Sequence, residues 1–118
     1  MSVKIPTVES YDFGRITIDG IEYTADVIIT PAGVKENWWR KEGHSLCPED
    51  IEGVLDPDIE VVIIGCGASG ILSVPNDTRK WLEGQGVRLY ALPTREAIER
   101  YNEMAGSGKV IAGLHLTC

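Results

Sequence analysis

The stretch Ile59 to Gly70, Ile-Glu-Val-Val-Ile-Ile-Gly-Cys-Gly-Ala-Ser-Gly, restricts the possible folds more than any other part of the chain. Its aliphatic run is nearly continuous, so a strand built from it has no polar face to turn to water and must be covered on both sides. The glycines that follow at 65, 67 and 70 mark a tight exit in which other backbone comes close. A strand covered on both sides requires at least three layers. A chain of 118 residues with 43% hydrophobic content can supply one such core, and is too short for two domains of ordinary size.

The rest of the chain fits around that strand. Asp19-Gly20 supplies the positive φ angles of a two-residue hairpin turn between strands Arg15 to Ile18 and Ile21 to Thr30. The turn pairs Ile18 with Ile21 and Ile16 with Tyr23, and alternation adds Ala25, Val27 and Ile29 to the same core face. Thr7 to Phe13 is a candidate edge strand. Pro48-Glu49-Asp50-Ile51 opens a short helix that turns Ile51, Val54 and Leu55 inward, since proline suits the first turn and the two acids suit the positive end of the helix dipole. Polar residues around Pro75, from Ser73 to Asn76, are read as capping a helix that runs to Gly84, and Val87 to Leu92 as a second buried strand. Thr94 is read as the cap of a third helix, with Ala97, Ile98, Tyr101, Met104 and Ala105 on one face and Gly106-Ser107-Gly108 as its stop. Val110 to Leu116 is the last strand, and Ala112 and Gly113 indicate close packing against a neighbour.

Strand, helix, strand, helix, strand implies right-handed crossovers and locally parallel pairing. The expected fold is α/β: one three-layer domain over residues 1–118, with a mixed central sheet, an N-terminal β-hairpin layer and short helices. If the last strand is parallel, His115 and Cys118 lie beside Gly65 to Gly70; an antiparallel one separates them.

The net charge of -7 argues against a nucleic-acid partner, whose phosphates need clustered Lys and Arg. No stretch approaches the ~18 apolar residues of a membrane span, and the first residues lack the apolar run of a secretory signal. The chain is therefore expected to be soluble and cytoplasmic, with no membrane partner. Its three cysteines, Cys47, Cys66 and Cys118, are read as free thiols.

Several motifs invite a sharper reading. Gly65-x-Gly67-x-x-Gly70 matches the dinucleotide fingerprint as a string, but Pro75 delays the following helix, no acid ends the next strand, and too little chain remains for a second half. A tight strand exit, with occasional small-anion binding by loop amides, is the plainer reading. Cys66 within that loop is either a presented nucleophile or, as most lone cysteines are, a small apolar filler. His44-x-x-Cys47 and His115-x-x-Cys118 together carry the donor count of a tetrahedral zinc site, though not the spacing of a zinc finger. Satisfied histidines on a loop and a strand face are the alternative, and neither metal nor cofactor is expected. Trp38-Trp39-Arg40 is either a partner-binding patch or one tryptophan covering the sheet while Arg40 stacks on the other. The acidic residues show no paired arrangement for acid-base catalysis and are read as a solvated face.

Taken together, these residues resemble a known family. Trp39-Arg40 with His44, Val62-Ile63-Ile64-Gly65-x-Gly67, Val74-Pro75 before a short helix, Tyr101-Asn102, and Gly113-Leu114-His115-Leu116-Thr117-Cys118 are similar to the adipogenesis-associated domain family. That family was first seen structurally in a methanobacterial protein and includes a mitochondrial complex I assembly factor. The resemblance implies a three-layer fold with a mixed central sheet and an extra β layer. It implies no established reaction, and the better known relatives act through protein association. The segment ending in Cys118 matches the adipogenesis-associated branch and not the assembly-factor branch, so complex I assembly is not carried over. Cys47 lies outside the matching pattern.

Two functional expectations follow. The first is association with a protein partner or with a second copy, through Trp38 and Trp39. The second is a small-ligand or anion pocket, or a thiol-dependent enzyme, built from Arg40, His44, Gly65, Cys66, Gly67, His115 and Cys118.

Overall fold

A computed structural model describes residues 5–118. In chain order the elements are β1 (Val8–Asp12), β2 (Arg15–Ile18), β3 (Ile21–Tyr23), β4 (Val27–Thr30), β5 (Gly33–Lys35), α1 (Glu49–Glu52), β6 (Val61–Cys66), α2 (Asn76–Gly84), β7 (Arg88–Leu92), α3 (Thr94–Met104) and β8 (Val110–His115). A short 3₁₀ turn, Ala105–Ser107, links α3 to β8.

Five strands form a mixed sheet in the order β5-β4-β8-β6-β7, and a separate antiparallel sheet has the order β1-β2-β3. β6 runs parallel to both β7 and β8, while β4 is antiparallel to β8. The aliphatic run at 61–66 is thus one strand from the sheet's edge, and β8 occupies its middle. Both faces of β6 are covered as its composition demands. Ile63 faces one core with Ala97, Ile98 and Tyr101 of α3 and with Ile16 and Ile18 of β2. Val62, Ile64 and Cys66 face the other core, with Ile51 of α1, Leu82 of α2 and Trp38. This is the mixed, three-layer α/β architecture that the strand pattern implied. Among the described residues, no helix is long and apolar enough to cross a membrane.

The hairpin register is as the turn chemistry dictates, Ile16 opposite Tyr23 and Ile18 opposite Ile21. The long strand inferred from Ile21 to Thr30 is not continuous. It breaks after Tyr23, leaving β3 in the small sheet and β4 in the large one, with Ala25 exposed between them. Ile21, assigned to the core face by alternation, is 57% exposed: it lies on the outer strand β3, whereas Ile18 opposite it lies on the middle strand β2 and is fully buried. Among the described residues β7 pairs only with β6, and it is half-exposed along most of its length, an edge strand rather than a buried one.

Helix starts also differ in mechanism from the sequence reading. Pro75 and Pro93 precede α2 and α3 in extended conformation, and neither helix has a side-chain cap hydrogen bond. Thr94 is committed elsewhere: its hydroxyl donates to the His115 carbonyl (2.5 Å) and accepts from the Gly67 amide (2.8 Å), tying the ends of β6 and β8 to the start of α3.

Candidate functional site

The site lies where β6 and β8 end, and the sheet register builds it. Val27 pairs with Leu114 in the antiparallel β4–β8 ladder, so one further step places Asp26 opposite His115. The Asp26 Oδ2 is 2.7 Å from His115 Nδ1, and the Leu116 amide donates to Asp26 Oδ1 at 2.8 Å. Arg40 completes a buried cluster by donating to Asp26 Oδ2 at 2.9 Å and to the Gly43 carbonyl at 3.2 Å. Its guanidinium lies 4.7 Å from the ring centroid of Trp38.

Burial pushes the Asp26 carboxyl upward, but hydrogen bonds from His115, the Leu116 amide and Arg40 outweigh it and hold the group below its ordinary range. An ionised Asp26 can only accept, so the proton on His115 belongs on Nδ1. The Arg40 NH2 group, 3.2 Å from the same Nδ1, is then a close neighbour without a hydrogen bond to it. The other ring nitrogen, Nε2, is buried and has no hydrogen-bond partner among the described residues.

Two loops close on this cluster. Gly67 has φ +95, and a Cβ there would land on the Cys118 carbonyl, so only glycine admits residues 117–118 beside the loop. The Ala68 amide donates to the Thr117 carbonyl at 2.7 Å and fixes that approach. From the other side, the Ser73 amide donates to the His44 carbonyl and the Leu46 amide to the Ser73 carbonyl, both at 2.9 Å. His44 and His115 meet edge to face with centroids 5.9 Å apart, and His44 Nε2 lies 3.9 Å from Cys118 Sγ.

The residues singled out from the sequence divide accordingly. Arg40, His44, His115, Cys118 and the Gly65 to Gly67 turn come together. Gly65 is required by close packing, since a Cβ would stand 2.9 Å from a Leu114 methyl and 3.0 Å from the Thr94 hydroxyl. Cys66 pairs with His115 across the parallel ladder, yet its thiol is buried, donates to the Ile64 carbonyl at 3.7 Å, and is pushed up in pKa by that burial. Cys47 stands apart at the start of α1, its amide donating to Asp50 Oδ2. Burial, then Asp50 and Glu49, raise its pKa.

Other features behave differently from their sequence reading. The loop amides proposed as an anion nest are largely engaged, Gly67 with Thr94, Ala68 with Thr117 and Gly70 with Gly67. Arg40 is spent on Asp26 rather than left free for an anion. Of the two tryptophans, Trp38 is a core residue whose indole donates to the Asp50 carbonyl at 2.9 Å. Arg40 stacks on this buried ring and not on the exposed one. Glycine at 113 makes room for it, because a Cβ there would stand 2.6 Å from the ring.

Sequence reasoning missed Asp26. On a single alternating strand it falls on the face opposite Val27 and Ile29, which reads as solvent. That face is in fact the second core, where Ile28 packs with Trp38. A lone acid beside Val-Ile-Ile was the available signal.

The family of proteins of unknown function described as DUF498/DUF598 matches residues 8–115. A conserved hypothetical protein from Pyrococcus horikoshii is 30% identical, with 95% of this chain and 99% of that one covered and a TM-score of 0.82. A structure described as MT938 is 29% identical over 96% of this chain and 99% of its own, with a TM-score of 0.76. One described as an outer membrane protein from Bartonella henselae shares the fold, at 24% identity, 98% coverage of both chains and a TM-score of 0.82.

Proposed function

We propose, from the premise that the chain belongs to the DUF498/DUF598 family of proteins of unknown function, that this domain acts by protein association at the edge where β6 and β8 end. The observation that carries this reading is Trp39, 76% exposed and held in place by its neighbours Trp38 and Arg40. Two more large apolar residues sit on loops anchored at the same edge. Phe13, 65% exposed, precedes Gly14, whose amide donates to the Leu116 carbonyl. Ile71, 50% exposed, precedes Leu72, whose amide donates to the Cys66 carbonyl. One exposed apolar side chain is ordinary, but three around one edge, a tryptophan among them, match the composition of binding patches. The resemblance to the adipogenesis-associated branch points the same way.

The partner proposed is a second copy of the chain, since an edge presenting apolar side chains from three loops can be matched with itself across a two-fold axis. A nucleic-acid partner fits poorly with the net charge of -7, and a cytoplasmic setting is part of the proposal. Light scattering after size exclusion tests it. A dimer mass for the wild type, falling to the monomer mass on Trp39→Ala with an unchanged circular dichroism spectrum, is the expected result. A monomer at every concentration tried removes the self-association reading. A ligand site at the same edge is the second reading, favoured by the convergence of His44, His115 and Cys118.

A further inference from the structure

His44, His115 and Cys118 bring two imidazoles and one thiol together with ligating atoms all within 4.8 Å of one another. Hydrogen bonding accounts poorly for this grouping, because the His44 Nε2 to Cys118 Sγ separation of 3.9 Å is long even for sulfur. Metal coordination accounts for it better. Zinc–nitrogen bonds of ~2.05 Å and zinc–sulfur bonds of ~2.3 Å in a tetrahedron place neighbouring donors roughly 3.5 Å apart. The observed spacing is within a small side-chain adjustment of that, and both His44 and Cys118 are exposed and free to make it.

His115 is the second, independent sign. It is only 7% exposed, and its Nε2 has no hydrogen-bond partner among the described residues, a costly state for a buried polar atom. Its Nδ1 proton is held by Asp26 at 2.7 Å, which leaves the lone pair on Nε2 as the ligating one. A carboxylate orienting a histidine through its far nitrogen is the usual outer support of a metal-bound imidazole. Arg40 does not oppose a cation here, because its charge is matched by Asp26 at 2.9 Å. The ligands are also positioned in advance, Cys118 by the Gly67 turn and His44 by Ser73.

We propose that His44, His115 and Cys118 bind a divalent zinc ion, with Asp26 as the orienting carboxylate and the fourth tetrahedral position open to water or an added ligand. Two nitrogens and a thiolate select a borderline-soft ion over magnesium or calcium. Three protein ligands with one free position is the pattern of sites that act on a ligand rather than merely hold the fold. On binding, the Cys118 thiol loses its proton to solvent and the thiolate bonds to the metal. Cys47, at the start of α1, takes no part. The proposal does not depend on self-association, which rests on the apolar residues.

The test uses reduced, chelator-stripped protein without a histidine tag, titrated with zinc by calorimetry and with cobalt by absorption. One ion per chain is expected, together with a thiolate-to-cobalt charge-transfer band in the near ultraviolet. Asp26→Asn should weaken zinc about 10- to 100-fold, His44→Gln and Cys118→Ser by more, and Cys47→Ser not at all. Cys118→Ser should also abolish the near-ultraviolet band. Substoichiometric binding, a cobalt complex without that band, or an affinity indifferent to Cys118→Ser overturns the proposal. Because His44 and Cys118 are exposed, their variants retain the fold, which circular dichroism checks, so the outcome does not depend on the Asp26 variant folding.

Discussion

Trp38 lies over Gly113 with its indole proton donated to the Asp50 carbonyl, while Trp39, the next residue, is largely in solvent. The two should respond oppositely to truncation. Trp38→Ala opens a cavity in the second core and removes the surface on which Arg40 stacks, a loss of about 3–5 kcal/mol. Trp39→Ala should leave the folding stability of the monomer, compared at concentrations below dimerisation, within about 0.5 kcal/mol. Urea denaturation of the two single variants checks this, and equal losses would mean that the loop is seated differently. Neither fate was legible in the Trp-Trp pair itself. The clue to Trp38 lay 75 residues away, in the missing side chain of Gly113, and a sequence does not say which bulky residue a glycine makes room for.

The loop after β6 shows how an element is held by more than its own residues. Thr94, read as a helix cap, instead joins the Gly67 amide to the His115 carbonyl, so the start of α3 binds the ends of both parallel strands. Gly67→Ala would strain the backbone at φ +95 and drive residues 117–118 away. A stability loss of more than about 1 kcal/mol is expected. Chemical denaturation measures that loss, and a neutral substitution would show that the approach of residue 118 is adjustable. Much at this scale was readable in advance. Asp19-Gly20 specified its turn and register, and the aliphatic run specified a strand covered on both faces. The late start of α2 at Asn76, after a turn at Ala68-Ser69, followed from Pro75. The break between β3 and β4 was not readable, because Tyr-Thr-Ala-Asp continues the alternation that a single strand requires. The meeting of His115 with the glycine loop was legible only conditionally, through the choice of a parallel last strand.

At the scale of the whole molecule, the Asp26–Arg40–His115 cluster ties β4, β8 and the loop at residue 40 into one unit and makes stability depend on pH. Asp26 has a folded-state pKa below its ordinary 3.8. Its contribution is therefore present above that ordinary value and is lost as pH falls through the lower folded one. The wild type should lose stability across that acid window, and Asp26→Asn should vary less there. At neutral pH the variant, with Arg40 buried and unmatched, should be less stable by about 3–5 kcal/mol. Denaturant midpoints measured across pH for both proteins decide it. Parallel profiles would mean that Asp26 keeps the same proton affinity when unfolded.

Strand order has a further consequence. β8 is the middle strand of the large sheet, hydrogen-bonded to β4 on one side and β6 on the other, yet it follows every one of its sheet neighbours in the chain. As a nascent polypeptide leaves the ribosome, β4-β5 and β6-β7 emerge as two ribbons with no shared seam, each presenting a bare backbone edge until β8 slots between them. Assembly must therefore wait for the closing segment, and the interval before its arrival is when these open edges can mispair.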